Sequence, residues 1–345
     1  MAGISDNSAG ARPEFGRGLL GTLPRALFER PVVVTQPEPW ALVHGEFDAD
    51  STRVQMASTA EVASLQSLAG SCGPGSAVFG IGGGMACDIA KFIAWMNDLP
   101  LVLVPTILSA DAAFCKAVAI RESGLVRYVG AAVPDRLLID FELINAAPKA
   151  FNRSGVGDIL SIFTALWDWR EANARLGERF DAAAAGEAQA LLDLLFAGVR
   201  DLRDVTDDGI RLLVDLYLCE VRLCEAFGNS RPEEGSEHHL AYCLESLTRR
   251  PYLHGRLVAL CALLVGRHQG QDVGPVREFL RDLELGLAFT DVGATREELR
   301  RALLHMKDFL AVERQLPPGV FHFGETLSEE TADDLLNDSQ DLPGV

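Results

Sequence analysis

The sequence predicts an α/β domain built on a parallel sheet, followed by an all-α domain. Three observations carry that expectation. Short β-branched runs alternate with helical stretches over the first part of the chain, the arrangement of a parallel sheet. A glycine cluster, Gly80-Ile81-Gly82-Gly83-Gly84, lies between one such run and the helix after it. Beyond about residue 150 the strand signals almost vanish and apolar residues recur with helical period.

Taken in order, residues 1–13 are small and polar and read as a flexible tail. Val32–Thr35, bounded by Pro31 and Pro37, is the first expected strand. Ala77–Ile81, Leu101–Val104 (stopped by Pro105) and Leu137–Asp140 are the next three. Helices are expected over Ser58–Leu68 and Met85–Trp95, between the first three strands. The second half reads as helices over Ile159–Leu176, Ala182–Leu202, Ile210–Ala226, His238–Leu247, His254–Arg267, Val276–Leu285 and Glu297–Val312. The acidic segment Ser328–Val345 is expected to form a short amphipathic helix and then fray. The domain boundaries that follow are 14–150 and 151–327, with flexible tails at 1–13 and 328–345.

Composition narrows the function. The chain has 345 residues, 48% hydrophobic and 23% charged, as in soluble enzymes. A net charge of −18 repels phosphate backbones, so no nucleic-acid partner is expected. Local backbone N–H groups still allow an anionic cofactor. The cysteine count is odd, 7, with no CxxC pair, which reads as reduced thiols in a cytoplasmic protein. The N-terminus lacks the apolar core of a signal peptide. Apolar runs such as Leu257–Val265 fall well short of the ~20 residues of a membrane helix, so no stable membrane insertion is expected.

The glycine turn suits phosphates. Gly82, Gly83 and Gly84 let backbone approach a ligand, and Met85, Ala86, Cys87 and Asp88 open a helix whose free N–H groups favour a pyrophosphate. A tight turn that binds nothing fits the same residues. This is not the GxGxxG fingerprint, because the third glycine would fall on Met85. Thr106, Ile107, Leu108 and Ser109 follow the next strand and would face the same crevice. Asp111, just beyond, could hydrogen-bond a polyol hydroxyl, though a solvated turn or a helix cap is the commoner role of such an aspartate.

Asp158, His238 and His254 stand in three short glycine-flanked contexts: Gly-Val-Gly-Asp, Gly-Ser-Glu-His and Leu-His-Gly. One carboxylate and two imidazoles leave a fourth position open, the pattern of a catalytic metal. Zinc is expected, and iron(II) or nickel(II) accept the same ligands. His239 points about 100° away from His238 on a helix and does not share its direction. Tyr242, four residues on, shares the His238 face and reads as a cavity residue or an ordinary half-buried tyrosine. The histidines at 44, 268, 305 and 322 have no partner in sequence.

Together these residues resemble the sn-glycerol-1-phosphate dehydrogenase family. That family lies within the superfamily of iron-containing alcohol dehydrogenases, glycerol dehydrogenases and dehydroquinate synthases. The resemblance runs from about residue 15 to about 320. It is carried by Gly16-Arg17-Gly18-Leu19, Gly82-Gly83-Gly84 with Asp88 and Lys91, Val104-Pro105-Thr106, Gly157-Asp158-Ile159-Leu160, Gly235-Ser236-Glu237-His238 and His254-Gly255, in that order. It implies a Rossmann-like N-terminal domain and a helical C-terminal domain, the dehydroquinate synthase-like fold. It implies NAD or NADP on Gly82–Asp88, Thr106–Ser109 and Cys115, a metal on Asp158, His238 and His254, and a substrate contact at Asp111. Three positions depart: Ala112 replaces a frequent glycine, Cys115 a serine and Tyr242 a substrate-contacting histidine.

The expected activity is a metal-dependent, NAD(P)-linked oxidoreductase that interconverts a small polyol or polyol phosphate and its ketone. Asp158, His238 and His254 carry catalysis through the metal, and Asp111 and Tyr242 bind substrate. A sugar-phosphate cyclase of the dehydroquinate synthase type, a lyase using NAD transiently, is the alternative. Such enzymes resemble this chain, but carry a glutamate first ligand and Asp-x-Ala-Gly where this chain has Asp158 and Asp88-Ile89-Ala90-Lys91. A third reading is a non-catalytic binding protein that kept the fold. A small-molecule substrate and a homo-oligomer are the partners this composition accommodates.

Overall fold

The computed structural model describes residues 12–70, 72, 77–122, 125–313 and 316–337. The expected fold class is the one observed. Chain contacts define two compact units: one runs to Ile107 and resumes over Asp111–Ala147, and the other comprises Leu108–Ala110 and the chain from Pro148 onward.

The first unit is a six-stranded parallel sheet. Its strands are β1 (Pro13–Gly16), β2 (Val32–Thr35), β3 (Arg53–Met56), β4 (Val78–Gly82), β5 (Leu101–Pro105) and β8 (Arg136–Asp140), in the order β1-β8-β5-β4-β2-β3. Strands β2, β4 and β5 are buried along their whole length, as continuous β-branched runs require. Alternation sorts their residues by face. Val33, Phe79, Ile81, Val102 and Val104 join Leu20, Leu23, Val43 and Phe47 in one core. On the other face Gly80 leaves room for a helix, since a Cβ there would meet Ala90 Cβ at 2.8 Å. The helices of this unit are α1 (Pro37–Val43), α2 (Val62–Ala69), α3 (Gly84–Asn97) and α4 (Phe141–Ala146). An antiparallel pair, β6 (Ala117–Glu122) and β7 (Leu125–Ala131), stands apart from the sheet.

The second unit contains helices and no strand among its described residues. It comprises α5 (Lys149–Arg153), α6 (Val156–Leu176), α7 (Ala182–Ala197), α8 (Val199–Asp204), α9 (Asp207–Phe227), α10 (Ser236–Thr248), α11 (His254–His268), α12 (Gly274–Asp282), α13 (Phe289–Val292), α14 (Arg296–Val312), α15 (Val320–Phe323) and α16 (Glu329–Asn337). Among the described residues no helix is long and apolar enough to cross a membrane. Within the expected tail, α16 buries Ala332, Leu335 and Leu336. Residues 338–345 and 1–11 lie outside the described residues.

Several elements differ from expectation. The helix expected over Ser58–Leu68 begins only at Val62, because Ala60 O accepts from Arg121 N at 2.9 Å and Glu61 bridges to Arg121. Tertiary backbone bonding thus claims residues that helical propensity alone would add. The helix expected over Ala182–Leu202 is two helices separated at Gly198, where a Cβ would strike Leu212 Cδ2 at 2.1 Å. Helix α12 stops before Leu285, since Glu284 takes a left-handed φ of 57°. Strands β1 and β3 and the β6–β7 pair had no sequence expectation.

Trp169 organises one end of α6. It is fully buried, its ring lies 4.8 Å from Phe180 and 4.7 Å from Phe227, and its indole N–H donates to Arg179 O at 2.8 Å. Trp169→Ala should cost about 3–5 kcal/mol, read from denaturant midpoints monitored by far-ultraviolet circular dichroism. A loss below about 1 kcal/mol would show that this cluster is not a packing centre.

Candidate metal centre and nucleotide turn

Close backbone approach sets the metal centre. Helices α6 and α11 meet where a Cβ on Gly157 would lie 2.0 Å from Gly255 O. A Cβ on Gly255 would in turn lie 2.1 Å from Ser154 O. Gly255 N donates to Ser109 O at 3.2 Å. Asp158 and His254 are the immediate neighbours of these two glycines, so the backbone contact fixes the spacing of their side chains. His254 Nε2 lies 3.5 Å from Asp158 Oδ1. Helix α10 adds His238, whose ring centroid is 5.3 Å from that of His254. One donor atom each from Asp158, His238 and His254 falls within 4.8 Å of the others.

Asp158 and His238 are buried and His254 is partly open, an arrangement that leaves access on one side. Tyr242 closes a ring cluster with them. Its centroid is 5.8 Å from His238 and 6.5 Å from His254, stacked at 19° on the latter. His239 points elsewhere, toward His322 at 5.8 Å, as the helical angle required. Among the described residues no other group of three ligand-type side chains has this geometry.

A polar stripe on α6 holds the segment that carries His238. Asp158, Ser161, Thr164 and Asp168 share one helix face by their spacing and are all buried. Ser161 donates to Glu233 O at 2.6 Å, Thr164 to Glu237 Oε2 at 2.5 Å, and Asp168 Oδ2 accepts from Ser236 N at 2.7 Å. Burial pushes Asp168 up to about 7, opposed by the Ser236 hydrogen bond and aided by the Glu237 charge. None of Ser161, Thr164, Asp168 or Glu237 was singled out from sequence as functional. The spacing of the stripe, three, three and four residues, was the available signal.

The centre favours a cation. Burial alone would lower the His238 imidazole, but its hydrogen bond to Glu237 and the charges of Glu234, Glu237 and Glu233 override this and raise it to about 10. The field that retains a proton there also favours a divalent ion. With two imidazoles and one carboxylate converging, the donor set fits zinc, iron(II) or nickel(II).

The glycine turn lies in the first unit. Strand order reverses between β2 and β4, and the crevice at such a reversal is where ligands bind open α/β sheets. Gly82 ends β4 there, with a φ of 154° that L side chains rarely adopt, and a Cβ would meet Gln36 Oε1 at 2.0 Å. Gly83 and Gly84 approach Ile107 and Ala112, where ideal Cβ atoms would sit at 2.9 and 3.3 Å. Met85, Ala86, Cys87 and Asp88 form the first turn and a half of α3, with Ala86 and Cys87 buried. Thr106 N donates to Gly82 O at 3.0 Å. Leu108 and Ser109 belong to the helical unit, where Leu108 N donates to Asn152 Oδ1 at 2.9 Å. Gln36, at the end of β2, escaped sequence reasoning. Its buried Oε1 has no hydrogen-bond partner among the described residues.

Lys91 binds together the positions at 88, 111 and 115. It is fully buried, pairs with Asp88 at 2.8 Å and donates to Ala117 O at 2.5 Å and Cys115 O at 3.4 Å. Burial alone would discharge the amine, but the Asp88, Cys115 and Asp111 side chains hold it charged. Burial and the Asp111 charge push the Cys115 thiol up, so it is a neutral hydrogen-bonding group rather than a nucleophile.

Comparison with known proteins follows the same lines. A family profile described as iron-containing alcohol dehydrogenase matches residues 36–148. The chain is 28% identical over 288 residues to glycerol-1-phosphate dehydrogenase [NAD(P)+] of Methanothermobacter thermautotrophicus, covering 84% of this chain and 81% of that one. It is 28% identical over 305 residues to the enzyme of the same name from Thermofilum pendens, covering 85% and 88%. The chain is thus similar to iron-containing alcohol dehydrogenases over residues 36–148 and to glycerol-1-phosphate dehydrogenases over most of its length. Its fold matches the crystal structure of a probable glycerol dehydrogenase from Sinorhizobium meliloti, with a TM-score of 0.70, 18% identity and coverage of 97% of this chain and 98% of that one. Glycerol dehydrogenase of Schizosaccharomyces pombe aligns with a TM-score of 0.68 and 19% identity, covering 97% and 91%.

Gly157→Ala tests the backbone constraint. The added methyl must push α6 from α11, so the variant should lose about 1–3 kcal/mol of stability and most of its metal retention. Thermal unfolding and elemental analysis of the purified protein check both. Unchanged metal content would show that the glycine contact does not set the ligand spacing.

Proposed function

We propose that this protein is a metal-dependent, NAD(P)-linked oxidoreductase that interconverts a small polyol or polyol phosphate and its ketone. The observation that carries the reading is the convergence of Asp158, His238 and His254 within 4.8 Å, in a chain whose relatives over most of its length are NAD(P)-dependent glycerol-1-phosphate dehydrogenases. The structural neighbours named glycerol dehydrogenase support the same class at the level of fold.

Asp158, His238 and His254 hold the metal, with zinc the first candidate. A divalent ion there supplies Lewis acidity toward an alcohol oxygen, and a nicotinamide cofactor supplies the hydride acceptor. The protein orients its own groups around that chemistry. Tyr242 offers a phenolic hydroxyl beside the imidazoles, a neutral donor and acceptor for a second substrate hydroxyl. Asp111 is the candidate acceptor for a further hydroxyl. The turn from Gly82 to Asp88, with Thr106–Ser109 and Cys115, is the candidate nucleotide site. The unpartnered Gln36 acceptor beside Gly82 supports that reading over a turn that binds nothing.

The test combines metal analysis with a spectrophotometric NAD(P)H assay on dihydroxyacetone phosphate, dihydroxyacetone and a panel of sugar ketones. Cofactor oxidation on one of them with bound metal is expected. Metal and bound NAD without net redox would replace this reading with the cyclase. Asp158→Ala and His254→Ala should each abolish metal retention and turnover while leaving the far-ultraviolet spectrum unchanged. Full activity in either removes the metal assignment. Tyr242→Phe should raise KM or lower kcat with metal content unchanged, and wild-type kinetics would place Tyr242 outside the pocket.

A further inference from the structure

His238 is gripped from behind by a carboxylate, and that carboxylate is gripped by α6. Glu237 is fully buried. Its Oε1 lies 2.9 Å from His238 Nδ1 and accepts from Gly235 N at 2.6 Å. Its Oε2 accepts from the Thr164 hydroxyl at 2.5 Å. Adjacent residues on a helix do not normally face each other. The Glu237 side chain reaches its neighbour by folding back to the start of α10, where the Gly235 amide and Thr164 hold it. The space there admits no other side chain: a Cβ on Gly235 would lie 2.9 Å from Asp168 Oδ2 and 3.0 Å from Glu237 Oε2.

We propose that Glu237, clamped by Thr164, is the positioning residue that presents His238 to the metal and sets the affinity of the site. The inference rests on the metal centre proposed above. An ionised carboxylate only accepts hydrogen bonds, so His238 Nδ1 is the donor and carries the ring proton. Nδ1 thus keeps its proton, and Nε2 is the nitrogen that would give its proton up to a metal, in a fixed ring orientation. Glu237 also makes the ring a stronger base and so a stronger ligand. Thr164 and Asp158 stand six residues apart at the two edges of the α6 polar stripe, so a single rigid helix places one ligand directly and orients a second through Glu237.

The experiment titrates full-length, metal-free protein with Zn2+ alone against a chromophoric chelator. Glu237→Gln keeps the shape and an acceptor oxygen but removes the charge. Thr164→Val removes only the hydroxyl at nearly equal size, and Thr164→Ser restores it. Glu237→Gln and Thr164→Val should each weaken Zn2+ binding about 10- to 100-fold, with Thr164→Ser within about twofold of wild type. Circular dichroism of the metal-free proteins identifies the variants that fold, and each variant reports independently of the other. Wild-type Zn2+ affinity in a folded Glu237→Gln or Thr164→Val overturns the proposal, and so does a Thr164→Ser as weak as Thr164→Val. If Asp158→Ala still loses Zn2+ in that case, the metal centre stands and only the positioning role falls. Absence of Zn2+ binding by the wild type overturns both.

Discussion

The candidate metal centre depends on a contact between two backbones. Helices α6 and α11 touch at Gly157 and Gly255, where neither chain has room for a methyl group. Side chains flex and backbones packed against each other do not, so ligands placed one residue from such a contact inherit its rigidity. The same device recurs at Gly155, where a Cβ would lie 1.8 Å from Leu108 O, and Tyr217 seals that junction by donating to Gly155 O at 2.7 Å. The glycines around Asp158 and His254 thus mark where helices are pressed together. Their role is steric.

Electrostatics at the centre balances two opposing features. All three candidate ligands stand in the first turn of their helices, α6, α10 and α11. Helix N-termini carry partial positive charge, which by itself opposes a cation. The carboxylates of Glu233, Glu234 and Glu237 supply a compensating negative field, which raises the His238 imidazole. The helix ends still favour negative charge developing on a substrate oxygen. A cation site built on helix N-termini would therefore serve two ends: acidic side chains would hold the ion, and backbone dipoles would favour negative charge on an oxygen next to it.

What was legible in the sequence follows from the range of the forces involved. Strands β2, β4, β5 and β8 announce themselves because burial on both faces demands uninterrupted apolar runs. The long helices do so through their period, and Asp158, His238 and His254 through residue type in glycine-flanked contexts. Strands β1 and β3 are short edge strands of mixed composition, Pro-Glu-Phe-Gly and Arg-Val-Gln-Met, with no buried residue between them. Pairing with a neighbour makes them strands, and pairing is not a local property. The β6–β7 hairpin was better signalled, since Val118 and Ile120 alternate inward. Glu237 was invisible for a different reason: its partner Thr164 is 73 residues away, and its contact with the adjacent His238 runs against ordinary helix geometry.

The glycine turn of the first unit shows how packing and binding divide the work of one motif. Gly83 and Gly84 are accounted for by Ile107 and Ala112, which would crowd any side chain there. Gly82 is accounted for by its φ and by Gln36. Packing thus explains why the residues are glycines and leaves nothing in their identity that requires a ligand. It does not explain the Gln36 acceptor. A buried amide oxygen without a donor costs about 1–3 kcal/mol, and a lysine, arginine or serine nearby would have removed that cost. Such a deficit is met by a water, an ion or a ligand group, or is held as strain. The oxygen sits at the reversal of strand order, beside a turn with no side chain to obstruct it. On the nucleotide reading proposed above, a hydroxyl of the ligand would supply that donor.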